Sequence, residues 1–384
     1  MTATSTARPA APVRPHRPAA TELRLSAFGP HRGAVLPLGP LTFFAGPSGS
    51  GKTTVLKAYE ALTRLASGEE LAEVFTDPAA CVPEGAVADG QGRRGFRIGC
   101  TVDGPLGPVH LDLAVQAEPD LRVVSERLTH EGQELLTTAL RDPRQPRVQA
   151  AWYTAGAVPV TRAPLPDDRM ATALLPLRVA GRTEGELLVL AAAEQVLVAL
   201  RSVFACDPQP QRMRAPAAAG EGLLRRGCDN LAAVLRRTGG ECANRHHALV
   251  KALGAGCTGP VVDLTAEDLP DGAVRALIGR GPRGVTPVGR LGEGELRYLA
   301  LALVLLTGPR VLDVEQEVGV PDAHRALTVL ADGFDRAMDA RQVRALTELA
   351  GEVCRRGHLR LTGTVADASP VRGADGVTVV DLVP

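Results

Sequence analysis

The chain has 384 residues, 45% of them hydrophobic, with 43 basic and 43 acidic side chains and no formal net charge at pH 7. That length and apolar share suit one large or two modest domains with a sizeable core. Charge balance and an aromatic content of 3% argue against a protein that works globally by phosphate neutralisation or base stacking. Of the 43 basic residues only Lys52, Lys57 and Lys251 are lysines, which, with the abundance of Ala, Gly and Pro, reads as the coding bias of a GC-rich genome. The seven cysteines are scattered and form no CxxC pair, as expected of reduced thiols in a cytoplasmic protein. Cys242, His246 and His247 form the one zinc-like grouping, and it lacks a fourth ligand.

Residues 1–20 are rich in Pro, Ala and Arg and have no apolar segment of the secretory type, which predicts a disordered tail. Three short strands are predicted at 22–28, 33–38 and 41–45, the third running into a glycine-rich loop and then a helix over 53–65. From 94 to 153 alternating segments with Gly, Pro and Asp turns predict an antiparallel β-lobe. Apolar residues recurring every three to four positions predict helices over 184–204 and 223–253, separated by a Pro- and Ala-rich loop. After 284 an α/β pattern returns: helix 293–306, strand 326–331, helix 341–355, and strands 359–364 and 376–382. The longest apolar run, 298–306, is far too short to span a membrane, so a soluble, cytoplasmic protein is expected.

Gly46, Pro47, Ser48, Gly49, Ser50, Gly51, Lys52 and Thr53 satisfy G-x-x-x-x-G-K-[ST], with Thr54 following. In such a loop the glycines let backbone N–H groups turn inward onto phosphates, and the helix it opens presents its positive end. Lys52 would bridge the β- and γ-phosphates of ATP, and Thr53 would bring its hydroxyl to Mg²⁺. A strand before and an amphipathic helix after supply the context that the motif requires.

Two further segments carry a resemblance. Leu291, Gly292, Glu293, Gly294 and Glu295, leading into an apolar helix, resemble the signature helix of ABC-type ATPases. The run ALTVLADGFDRAMD, 326–339, resembles the Walker B strand and D-loop, with Asp332 at the magnesium-associated position and Asp339 at the D-loop aspartate. Three departures accompany it. Gly292 replaces the signature serine, Gly333 replaces the glutamate that polarises water, and Val365 follows Thr364 where a histidine is expected. Asp335 is a nearby carboxylate that could substitute for the missing glutamate. Asp313 is an alternative Walker B aspartate, with Glu315 two residues on.

The order of segments resembles RecF-like and OLD-like AAA-family ATPases, relatives of SMC heads. The resemblance implies an α/β P-loop fold of the ABC/SMC-head type, with a mixed sheet, an antiparallel β-lobe and a helical insert. It implies one domain over 21–384, with a P-loop half and β-lobe (21–155), a helical insert (156–283) and a signature and Walker B half (284–384). It further implies an ATP- and Mg²⁺-binding protein that forms a homodimer on ATP, covers the nucleotide in trans with Gly292, Gly294 and Glu295, and moves its lobes to engage DNA or a protein. Basic residues near Arg32 would approach the nucleotide. Hydrolysis would be slow. A non-hydrolysing, ATP-responsive interaction module is the alternative, and a small-molecule P-loop kinase is a third reading.

Overall fold

The strand that leads into the glycine loop, Leu41–Ala45, is buried at all five positions, as expected for a strand whose sheet is covered on both faces. It lies in a five-stranded parallel sheet in the order Val203–Cys206, Leu327–Ala331, Leu359–Val365, Leu41–Ala45, Val377–Asp381. Leu327–Ala331 is likewise buried throughout. Successive side chains point to opposite faces. Phe44 joins an apolar cluster with Val55, Leu62 and Leu200, whereas Phe43 joins a second with Tyr298, Phe334 and Leu346. The computed structural model describes residues 17–156, 159–220, 222–314 and 325–383.

The first cluster lies between the parallel sheet and an eight-stranded antiparallel sheet. The order there is Ala34–Pro37, Ala19–Ser26, Arg94–Asp103, Val109–Glu118, Arg122–His130, Gln133–Ala139, Arg147–Tyr153, Val160–Pro166. The helix after the glycine loop, Lys52–Ala66, and the helix Glu184–Arg201 fill the space between. Thr183 caps the second of these, its hydroxyl accepting from the N–H of Glu186 at 3.1 Å. On the opposite face lie the helices Ala243–Gly256, Glu293–Leu306 and Ala340–Cys354. Glu293–Leu306 is buried without interruption from Leu296 to Leu305, the condition of a helix that is apolar all round. A small antiparallel sheet, Ala217–Ala218, Ala273–Gly279, Asp263–Asp268 with Val285–Pro287, adjoins the helix Leu231–Gly239.

Four sequence expectations change. The stretch 184–204 is not one helix: it stops at Arg201, and Val203–Cys206 is a strand pairing with Leu327–Ala331. An apolar run buried on both sides carries no period that separates helix from strand. The stretch 223–253 divides into Leu231–Gly239 and Ala243–Gly256, interrupted at residues 240–242, with 223–230 outside both helices. The segment 156–283, expected to be helical, also carries the strands Val160–Pro166, Val203–Cys206, Asp263–Asp268 and Ala273–Gly279. The first strand begins at Ala19, inside the stretch read as tail. No described helix is long and apolar enough to cross a membrane.

Candidate functional site

The C-terminal ends of the parallel strands gather the residues that the sequence singles out, as in open α/β sheets generally. Residues 46–51 leave Leu41–Ala45 and enter the helix Lys52–Ala66, whose first N–H groups have no acceptor within the helix. The Lys52 ammonium arches back over the loop and donates to the carbonyls of Gly46 (2.6 Å) and Pro47 (2.9 Å). His31, rather than the exposed Arg32, leans on the loop, with Nε2 3.1 Å from the carbonyl oxygen of Gly51.

Thr53 and Asp332 meet although 279 positions separate them: the threonine hydroxyl lies 3.2 and 3.1 Å from the two carboxylate oxygens. Thr364, at the end of the neighbouring strand, donates its hydroxyl to Asp332 Oδ1 at 2.6 Å and accepts the N–H of Gly333 at 2.7 Å. Register brings this about. Leu330 pairs with Thr362 and Gly363 with Phe43, so the ends of the three strands lie side by side. Asp313 is placed differently. Its N–H donates to the carbonyl of Leu224 beside an isolated bridge between Leu224 and Leu312, and Glu315 lies outside the described residues.

Arg297, only 2% exposed, holds the turn after Asp332 from below. Its guanidinium donates to the carbonyls of Pro208 (2.8 Å), Asp332 (3.3 Å) and Gly333 (2.9 Å). Burial lowers its pKa from the usual arginine value, and the charge of Arg336 adds to that effect. Asp207 stands where the strand Val203–Cys206 ends, a strand that sequence periodicity merges with the helix before it, so no local signal points to Asp207. It lines a cavity of about 210 Å³ with Thr53, Lys57, Glu60, Arg226 and Asp332. Its Oδ1 is 3.8 Å from both Arg297 and Arg336.

The signature-like and D-loop-like segments touch each other. A Cβ on Gly294 would overlap the carbonyl oxygen of Ala337, so glycine permits the close approach. Gly292 and Glu293 are exposed at the helix start, and the Glu295 carboxylate accepts from the N–H groups of Gly292 (3.2 Å) and Thr258 (2.7 Å). Asp339 caps Ala340–Cys354, accepting the N–H of Gln342 at 2.8 Å. Asp335 is engaged elsewhere: one carboxylate oxygen accepts the N–H groups of Ala366 (2.8 Å) and Asp367 (3.0 Å). His246 of the zinc-like grouping contacts Asp263 at 3.1 Å.

No group of three or more His, Cys, Asp or Glu poised for a metal occurs among the described residues. Among the described residues, Thr53 and Asp332 bring oxygens together that could hold Mg²⁺, an ion that keeps several waters and takes the rest of its oxygens from a phosphate-bearing ligand.

The sequence matches no protein-family profile, and no curated protein is similar to it. Solved structures are similar in fold. An SMC head bound to the C-winged helix domain of ScpA superposes with a TM-score of 0.52 at 12% identity, over 94% of each chain. An SMC head with an extended coiled coil, bound to the C-terminal domain of ScpA from Pyrococcus furiosus, gives 0.50 at 13% identity, over 95% of this chain and 94% of that one. At this level of identity the likeness concerns the fold: the chain has the mixed α/β architecture of SMC heads.

Proposed function

We propose that the chain is an ATP-binding protein that dimerises on ATP and moves its lobes to engage a partner, DNA or protein, in the cytoplasm. The observation that carries this reading is the contact of Thr53 with Asp332, which joins the glycine loop to the Walker B-like strand end at one point. In this reading residues 46–54 cradle the phosphates, Lys52 turns from its own loop carbonyls to the β- and γ-phosphates, and Thr53 and Asp332 hold Mg²⁺. Bound there, Mg²⁺ would neutralise charge on the phosphate oxygens. Thr364 fixes the Asp332 carboxylate by donating to one of its oxygens.

Gly292, Gly294 and Glu295 would cover the nucleotide of a second copy, with the exposed start of Glu293–Leu306 facing it and Asp339 beside the same junction. The stretch from Asp207 links the cavity to that surface in cis. Gln211 donates to Glu293 at 2.7 Å, and Arg214 donates to the carbonyls of Gly289 (2.7 Å) and Leu291 (2.8 Å). A shift at Asp207 would therefore reach residues 289–293 through hydrogen bonds.

One observation favours the non-hydrolysing alternative. Gly333, the position of the usual glutamate, has φ +60°, a left-handed conformation that a glutamate adopts only with strain. Asp335, the carboxylate proposed as its substitute, already accepts two backbone N–H groups. Nucleotide titration and phosphate release, with Thr53→Ala and Asp332→Asn alongside wild type, test the reading. It predicts Mg²⁺-dependent ATP affinity that both variants weaken at least about tenfold, roughly the worth of one charge-assisted contact. Unchanged affinity in both variants would remove Thr53 and Asp332 from the site.

A further inference from the structure

The turn after Asp332 carries a guanidinium where a P-loop ATPase carries a carboxylate. A Cβ built on Gly333 would lie 2.9 Å from Nε, 3.0 Å from Nη2 and 3.1 Å from Cζ of Arg336. Space into which a residue-333 side chain would grow is thus filled by Arg336, whose backbone N–H closes the turn onto the Gly333 carbonyl at 3.0 Å. Nη1 of Arg336 is 3.8 Å from Asp207 Oδ1, too far for a hydrogen bond, and Arg297 approaches the same oxygen at 3.8 Å. That oxygen is buried and without a hydrogen-bond partner. The Arg336 side chain is 56% exposed, and its guanidinium makes no hydrogen bond among the described residues. Two cations therefore share one carboxylate oxygen, and among the described residues the more exposed one keeps its donors unused next to Asp207, which lines the cavity with Thr53 and Asp332. A guanidinium with unused donors suits another anionic oxygen.

We propose that Arg336 is the residue of this site that distinguishes ATP from ADP, exchanging its loose pairing with Asp207 for the terminal phosphate. The proposal rests on the reading that residues 46–53 bind ATP. A guanidinium offers parallel N–H groups that match two oxygens of one phosphate, and ADP presents no phosphate at the third position. A carboxylate after Asp332 would activate water. A guanidinium there has no lone pair to accept a proton, so the substitution strengthens binding without supplying a base. Departure of Arg336 also leaves Asp207 to Arg297 alone, and Asp207 opens the stretch that runs through Gln211 to Glu293.

Isothermal titration of wild type, Arg336→Ala, Arg336→Lys and Lys52→Ala with ATP and with ADP, in the presence of Mg²⁺, decides it. Arg336→Ala is expected to weaken ATP about ten- to a hundredfold and to leave ADP within about twofold, with Arg336→Lys recovering part of the loss. Retained ADP affinity is the check that the variant is folded, since the side chain is more than half exposed. Equal losses for the two nucleotides, or no loss for either, would overturn the role of Arg336. A wild-type protein that binds neither nucleotide would instead overturn the reading of the glycine loop.

Discussion

Asp332 is held by two hydroxyls, Thr53 on one side and Thr364 on the other, and the second hydroxyl also satisfies the N–H of Gly333. Replacing Thr364 by Val keeps the shape but leaves that N–H without its acceptor. The expected cost is about 1–3 kcal/mol, read from urea unfolding. Arg297 has a larger task, because its guanidinium serves the carbonyls of Pro208, Asp332 and Gly333 from a buried position. Arg297→Met fills most of the volume and returns none of the three hydrogen bonds. A loss of about 3–5 kcal/mol is expected, and a loss under about 1 kcal/mol would mean that the turn does not depend on it. Both residues act on the backbone around Asp332, so both variants should also lower nucleotide affinity.

At the scale of elements, the junction of the helix Glu293–Leu306 with the turn 333–338 depends on Gly294, where an added Cβ would strike the carbonyl of Ala337. Ala337 itself has φ +61°, so the turn has little freedom to yield. Gly294→Ala is expected to destabilise the protein by about 1–3 kcal/mol, as overpacking does, and to reduce ATP-dependent self-association more than ATP binding. Sedimentation of the variant with ATP, set beside its titration with ATP, checks the difference.

What sequence revealed and what it hid follow from the same physics. The glycine loop was legible because its spacing is local and each residue has a stated task, and the run LTFFA was legible because a turn motif bounds it. Val203–Cys206 was not, because four apolar residues after an apolar helix show no change of period. Asp207 was hidden with it. Asp332 could be placed by an apolar strand before it, whereas its contact with Thr364 depends on strand order, which no local pattern encodes. Arg336 was invisible for a related reason. Its closeness to Gly333 comes from a turn whose φ of +60° sequence suggests only as a glycine.

In the whole molecule the parallel sheet divides two apolar clusters, and Phe43 and Phe44 of the strand before the glycine loop enter opposite ones. The position of the loop therefore depends on both. Phe43→Ala, removing a side chain with no exposed surface that packs against Phe334 with the rings tilted at 52° and 4.8 Å between centroids, is expected to cost about 3–5 kcal/mol. Phe334 follows Gly333, so the same substitution should loosen the Asp332 turn. The proposed dimer uses the exposed start of Glu293–Leu306 and the glycine loop at the C-terminal end of its strand, and both must be present in each copy for two nucleotides to be enclosed.

That requirement gives the most direct test of the central claim, that residues 46–53 bind ATP and that ATP joins two copies. The molar mass of the purified chain in solution should be measured by light scattering with no nucleotide, with ADP and with ATP, each with Mg²⁺, for wild type and Lys52→Ala. A shift from one copy to two with ATP alone, absent in Lys52→Ala, is the predicted result. A mass that stays the same with every nucleotide, or a shift that Lys52→Ala retains, would contradict it.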